Sequence, residues 1–324
     1  MSIRIEHGTV ITVDKQRRII RDGAVVIDGS RIAAVDKTSQ VAGLPVDKVI
    51  DARGKIVLPG LVDTHVHNEQ TLARGLGDDI GINVFTFERI LPYESLLSED
   101  AAYYSALLSC VEMIRTGTTC CADTGGYNPT SVARAIRETG FRAVIAWPAM
   151  DVAPEGFAPP PGFKGLASVD DSLRNMEEVV HRWNGEAEGR IRTAYTLRTA
   201  VNISETLFRE TKKLADRDGT FVQIHLCTHP ARVEATRKRH GTTVVDFLNR
   251  IGALGPNWLF IHAPYITDAE VRLLKEADAK VSHPVGERIG CLECESPHAV
   301  PWVILITRAR SGPERAMSCQ EVIG

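Results

Sequence analysis

Residues 58–67 read LPGLVDTHVH, an apolar run that ends on His65-Val66-His67. In a β-strand residues i and i+2 face the same way, so both imidazoles leave the strand's C-terminal end together. Two neutral imidazoles on one side make half of a divalent-metal site. Standing alone, the same triplet also reads as two polar residues in a strand-end turn.

The chain around this stretch repeats its pattern. From Pro59 onward, apolar runs alternate with amphipathic segments, which predicts an α/β protein of βα units around a parallel sheet. Seven strand runs follow: LPGLVDTHV near 61, TTCCAD near 118, RAVIAW near 142, IRTAYTL near 191, FVQIHLC near 221, WLFIHA near 258 and AKVSH near 279. Residues 98–115 have apolar positions at helical spacing after a Ser cap and two acids, and residues 203–216 and 267–278 look alike. The Pro- and Gly-rich residues 152–165 predict a loop after the third strand, on the face where a barrel builds its pocket. Residues 1–58 instead read as short strands with a hairpin turn at Asp28-Gly29.

Three more strand runs carry histidines at their ends: His225 after FVQI, His262 after WLFI and His283 after AKVS. A single histidine there is commonly a satisfied core residue. Recurrence at several strand ends points to a site, because barrel enzymes gather their catalytic residues at the C-terminal ends of different strands. For His283 the pocket and a simple strand cap stay open as alternatives. His7, His181, His229, His240 and His298 lack strand-end context and read as surface or loop residues. Arg232, Arg237, Lys238, Arg239 and His240 form a basic run that reads as a solvated helix face. Cys291 and Cys294 have CxxC spacing without the second pair that a zinc ribbon needs.

Composition narrows the function classes. The 324 residues are 44% hydrophobic and 24% charged, with a net charge of −3, which fits a globular chain with a substantial core. No basic footprint for nucleic acid or an anionic membrane is present, so a small molecule is the expected partner. The N-terminus lacks an apolar signal core, and the expected location is cytoplasmic. Seven scattered cysteines suit reduced, mostly buried thiols. A dinucleotide-binding fold is disfavoured, because no G-x-G-x-x-G follows the first strand of the βα region.

Taken together, HGTVITVD, GAVVIDGSRIAAV, IDARGKIVLPGLVDTHVH, ARGLGDD, EMIRTGTTCCAD, VQIHLCTH and GPNWLFIHAPYITDAEVRLLKEADAKVSH resemble the amidohydrolase superfamily. The likeness is to its cytosine-deaminase-like and s-triazine hydrolase branch. It implies a (β/α)8 barrel with a small β-sandwich, and a mononuclear metal, zinc before iron. By position His65, His67 and His225 would be metal ligands, and His262 would orient or deprotonate the metal-bound water. Thr228 and His283 would face the substrate. A bound metal brings the pKa of water to about 7, which suits attack on an electron-poor carbon bearing an amino or halide group. The implied function is deamination or dechlorination of a nitrogen heterocycle, with a homo-oligomer compatible.

The departures from that pattern are specific. Thr228 stands where the family carries a proton-donating glutamate, and Val84-Phe85-Thr86 stands where nucleoside deaminases carry an acid before Trp-Leu. The last aspartate of the chain is Asp278, so the strand-8 metal aspartate is missing. The expected division is a sandwich half over 1–58, barrel strands 1–7 over 59–290, and a truncated or divergent tail over 291–324. Strands near 61 and 281 imply about 37 residues per βα unit and an eighth strand near 318, with residues 302–307 as an apolar candidate. The alternative function is an impaired remnant of such an enzyme.

Overall fold

A computed structural model describes residues 1–78, 80–153 and 157–283. The candidate eighth strand, the Cys291/Cys294 pair, His298 and the tail lie outside the described residues. Two compact units divide the chain, one over Met1–Leu61 and a second beginning at Val62.

The first unit is a sheet in the order β3-β2-β1-β4, with β5 also paired to β1. Its strands are β1 (Ser2–Ile11), β2 (Ile19–Asp28), β3 (Arg31–Lys37), β4 (Lys48–Asp51) and β5 (Ile56–Val57). β2 and β3 form the expected hairpin, with Asp28 opposite Arg31. Gly29 supplies the left-handed residue of that turn at φ 58°. Ala24, Val26 and Val41 make the unit's small core.

The second unit carries two parallel sheets. One runs β10-β8-β7-β6 and the other β14-β13-β12-β11-β9. Their strands are β6 (Leu61–Val66), β7 (Thr118–Asp123), β8 (Arg142–Ile145), β9 (Pro148–Ala149), β10 (Ile191–Thr193), β11 (Tyr195–Thr199), β12 (Val222–Leu226), β13 (Trp258–His262) and β14 (Lys280–Ser282). Several read as unbroken apolar runs because both faces are covered: Cys120 to Ala122 and Ala143 to Ile145 are all buried. The IRTAYTL run is not one strand, however. It breaks at Ala194, with β10 pairing β8 and β11 pairing β9 and β12. Local propensity cannot show that break, because both halves are equally strand-like and only their partners differ.

Helices fill the connections, and their starts follow the sequence. Ser98, Ser168 and Ser204 each accept a backbone N–H three residues on, opening helices Glu99–Arg115, Val169–Trp183 and Glu205–Arg217. Thr267 and Glu270 form a reciprocal capping box at the head of Asp268–Glu276. Among the described residues, no helix is long and apolar enough to cross a membrane. The buried Thr64 and Ser282 hydroxyls meet at 2.7 Å, joining β6 to β14.

One aromatic cluster anchors the core. Fully buried Phe208 packs against Phe247 at 5.8 Å and Trp258 at 6.4 Å between ring centroids. Replacing it by Ala removes a large buried ring whose space its neighbours fill only in part. Phe208→Ala is expected to cost about 3–5 kcal/mol in a urea unfolding titration.

Candidate metal centre

Four of the described histidines converge at the C-terminal ends of β6, β12 and β13. The His65 ring lies 5.0 Å from His67, 5.1 Å from His225 and 5.0 Å from His262, centroid to centroid. His67 stacks on His225 at 5.3 Å, and His225 on His262 at 5.4 Å. Parallel pairing sets the two strand ends level, with Leu226 opposite His262 and His225 opposite Ile261. Strict alternation would put the two histidines on opposite faces, and the left-handed φ of 77° at His262 breaks that alternation where the rings meet.

Donor atoms can be followed more closely. His65, His225 and His262 each offer a nitrogen, and these lie within 4.8 Å of one another. His67 Nε2 is 3.3 Å from His225 Nε2. Two nitrogens bound tetrahedrally to zinc at about 2.0–2.1 Å are themselves about 3.3 Å apart, so this pair has the spacing of metal ligands. His225 Nδ1–H donates to the Arg198 carbonyl at 2.7 Å, which leaves Nε2 as the bare nitrogen of the neutral ring. Burial pushes His67 and His225 well below the ordinary imidazole range, and neighbouring positive charge adds to it. Neutral imidazole is the form that binds metal.

Left-handed backbone also occurs at this place. Cys227, His262 and Ala263 adopt left-handed φ of 50°, 77° and 55°. None is glycine, and each such residue costs on the order of 1–3 kcal/mol, which surrounding structure must hold in place.

The remaining predicted residues lie close by. His283 Nδ1–H donates to the His262 carbonyl, so its ring is tied to the end of β13. Thr228 follows β12, and its hydroxyl lies 3.4 Å from Arg232 Nη1. His229 caps the next helix, its Nδ1 accepting the Ala231 amide. Two readings of the basic run need correction. Arg232 is only partly exposed and turns inward, donating to Thr86 Oγ1 at 2.9 Å. His240 packs on Phe247 at 4.2 Å and reaches the Ala200 carbonyl. Consecutive charges look like a solvated face until the helix is placed against its neighbours.

A buried polar network that sequence reading missed supports the centre from below. Arg198 grips both oxygens of Glu94 at 2.9 and 3.2 Å and reaches Tyr127 Oη at 3.1 Å. Glu69 accepts the Asn128 amide at 2.9 Å and its side-chain N–H at 3.2 Å. Asn68 donates to Asp123 at 2.8 Å. Burial raises Glu69 to about 8 and Asp123 to about 6. The available signal was Asn68-Glu69 directly after the His-x-His, where a polar pair continues an apolar strand. A larger cleft of about 210 Å³, lined by Trp147, Arg182 and Trp183, contains none of the four histidines. Converging donors, and not that cleft, mark this centre.

Known proteins share part of this sequence and its fold. Residues 56–300 match the Amidohydrolase family. A 5'-deoxyadenosine deaminase of Methanothermobacter thermautotrophicus is 36% identical over 264 residues, covering 82% of this chain and 58% of that protein. The chain thus spans less than two thirds of the length of that curated relative. An adenosine deaminase of Xanthomonas campestris with bound zinc superposes with TM-score 0.81 at 23% identity, covering 90% of this chain and 64% of that one. The zinc complex of an atrazine chlorohydrolase from Arthrobacter aurescens gives TM-score 0.82 at 22% identity, covering 91% and 68%. These likenesses establish the fold.

Two outcomes follow for the network. Arg198→Met strands a buried carboxylate and is expected to cost about 3–5 kcal/mol in chemical unfolding, part of which returns in the double variant with Glu94→Leu. For Glu69, the folded carboxyl keeps its proton up to about pH 8, whereas the unfolded one releases it near 4.5. The unfolded state therefore binds fewer protons in that window, and stability falls as pH rises through it, by at most about 1.4 kcal/mol per pH unit. Glu69→Gln is expected to flatten that decline when metal-free protein is unfolded at pH 5, 6.5 and 8.

Proposed function

This chain belongs to the Amidohydrolase family, and from that premise we propose that it is a metal-dependent hydrolase of a non-peptide carbon–nitrogen bond. Its substrate is a small nitrogen heterocycle, and its reaction is deamination. The observation that carries this reading is the convergence of His65, His67, His225 and His262 from separate strand ends into one cluster. Likeness to two deaminases, one with bound zinc, favours carbon–nitrogen cleavage. Likeness to a chlorohydrolase keeps carbon–halogen cleavage as the second chemistry of the same site.

His65, His67 and His225 are the residues that would hold a divalent metal, zinc before iron. The neutral imidazoles of His67 and His225 and their 3.3 Å spacing fit that ion. When bound, the metal would supply Lewis acidity, making water a nucleophile at neutral pH.

The chain's own groups do the rest. Arg198 contributes its backbone carbonyl, which fixes the His225 tautomer and keeps Nε2 turned to the cluster. His262 faces the same space and is assigned the proton: it accepts one from the attacking water and returns it to the departing amine, which leaves as ammonia. Thr228 offers a hydroxyl to a ring nitrogen as a hydrogen-bond partner only, since a threonine carries no acidic proton near neutral pH. With Nδ1 spent on the His262 carbonyl, His283 keeps Nε2 for the substrate.

Metal analysis of purified protein is expected to give about one zinc or iron per chain, falling to background in the double variant His65→Ala/His67→Ala. His262→Asn is expected to keep its metal while ammonia release from aminated pyrimidines, purines and triazines drops about 10²–10⁴-fold. Wild-type protein holding far less than one metal equivalent would overturn the reading.

A further inference from the structure

Arg232 sits where folding alone would not put a cation. Helix Pro230–His240 starts at its His229 cap, so Arg232 stands in the first turn, where the helix dipole presents partial positive charge. The side chain nevertheless turns inward. Nη2 donates to Thr86 Oγ1 at 2.9 Å, and Nη1 lies 3.4 Å from Thr228 Oγ1. Both partners are neutral hydroxyls, and among the described residues no carboxylate pairs with it. The Glu94 carboxylate is already held by Arg198, whose own charge repels Arg232. Burial, and then the charge of Arg198, push Arg232 down to about 10, which still leaves it protonated at neutral pH. A half-matched inward cation of this kind weakens the fold.

Position supplies the reason. Arg232 lines the same small cavity as His225, Cys227 and Thr228. Thr86 and Thr228 each use a lone pair on the guanidinium; the Thr228 O–H goes to the ring nitrogen, and the Thr86 O–H is left able to donate. Two guanidinium nitrogens with the Thr86 hydroxyl beside them make a fork suited to a planar carboxylate.

We infer that Arg232 is a specificity-determining residue that receives a carboxylate carried on the substrate's heterocycle, beside the strand-end histidines. The inference rests on the proposed function, since it names the class of heterocycle for that same site.

The test compares 4-aminopyrimidine-5-carboxylate with 4-aminopyrimidine-5-carboxamide, and the matching 6-substituted pair, by isothermal titration into metal-loaded full-length protein. In at least one pair the carboxylate is expected to bind at least tenfold more tightly. That preference is expected to vanish in Arg232→Met and to survive in part in Arg232→Lys. Equal binding within both pairs overturns the inference. So does a preference that persists in Arg232→Met, because the metal would then be taking the carboxylate. The melting temperature of Arg232→Met is expected to stay level or rise; a fall of more than about five degrees would make Arg232 a structural clamp and also overturn the inference. Binding is read without turnover, so the two ideas fail separately. Intact carboxylate preference without any ammonia release counts against the deaminase reading, whereas deamination of neutral rings without the preference counts against the role of Arg232.

Discussion

Parallel strand pairing is the constraint on which this molecule depends. Parallel neighbours end at the same edge, so a histidine closing each strand arrives beside the next one without any long-range instruction in its own segment. β12 and β13 end level in this way, with Leu226 opposite His262, and the left-handed backbone at His262 goes with its ring reaching the His225 side. Parallel pairing also places the Arg198 carbonyl at the end of β11, beside the His225 ring. That hydrogen bond settles which nitrogen of His225 is bare. From it follow the 3.3 Å approach to His67 and the donor set that a metal would need.

The arrangement is costly, and the costs sit where the chemistry is. Left-handed backbone at Cys227, His262 and Ala263 turns the chain sharply off the strand ends. Glu69 and Asp123 are buried deeply enough to hold protons far above the usual carboxyl range. Among the described residues, the Arg232 side chain hydrogen-bonds only the hydroxyls of Thr86 and Thr228. Compensation comes from the aromatic core around Phe208 and Trp258, and from the Glu94–Arg198 fork, which secures the end of β11.

Much of the fold was legible because its signals are local. Ser98 announced its helix, since a cap needs only a hydroxyl and an amide three residues on, and residues 203–216 and 267–278 showed similar helical spacing. The apolar runs marked the strands, because a strand covered on both faces has no polar side to show. The break at Ala194 was not legible, since it depends on which strands β10 and β11 meet. Charged residues misled most. Arg232 and His240 read as solvated members of a basic run, and Glu69, Glu94 and Arg198 drew no notice, because a charge reveals its burial only through a partner distant in the chain.

By itself, then, the sequence determined the βα alternation, the caps, and the presence of imidazoles at the ends of several strand runs. These depend on residue type and short spacing. Only the tertiary structure decided that four of those rings meet within about 5 Å, that His225 turns Nε2 toward them, and that Arg232 points inward. Such facts depend on contacts between segments as far apart as His67 and His225, 158 residues along the chain. No local pattern encodes an encounter of that kind; it arises when parallel sheets bring their strand ends together.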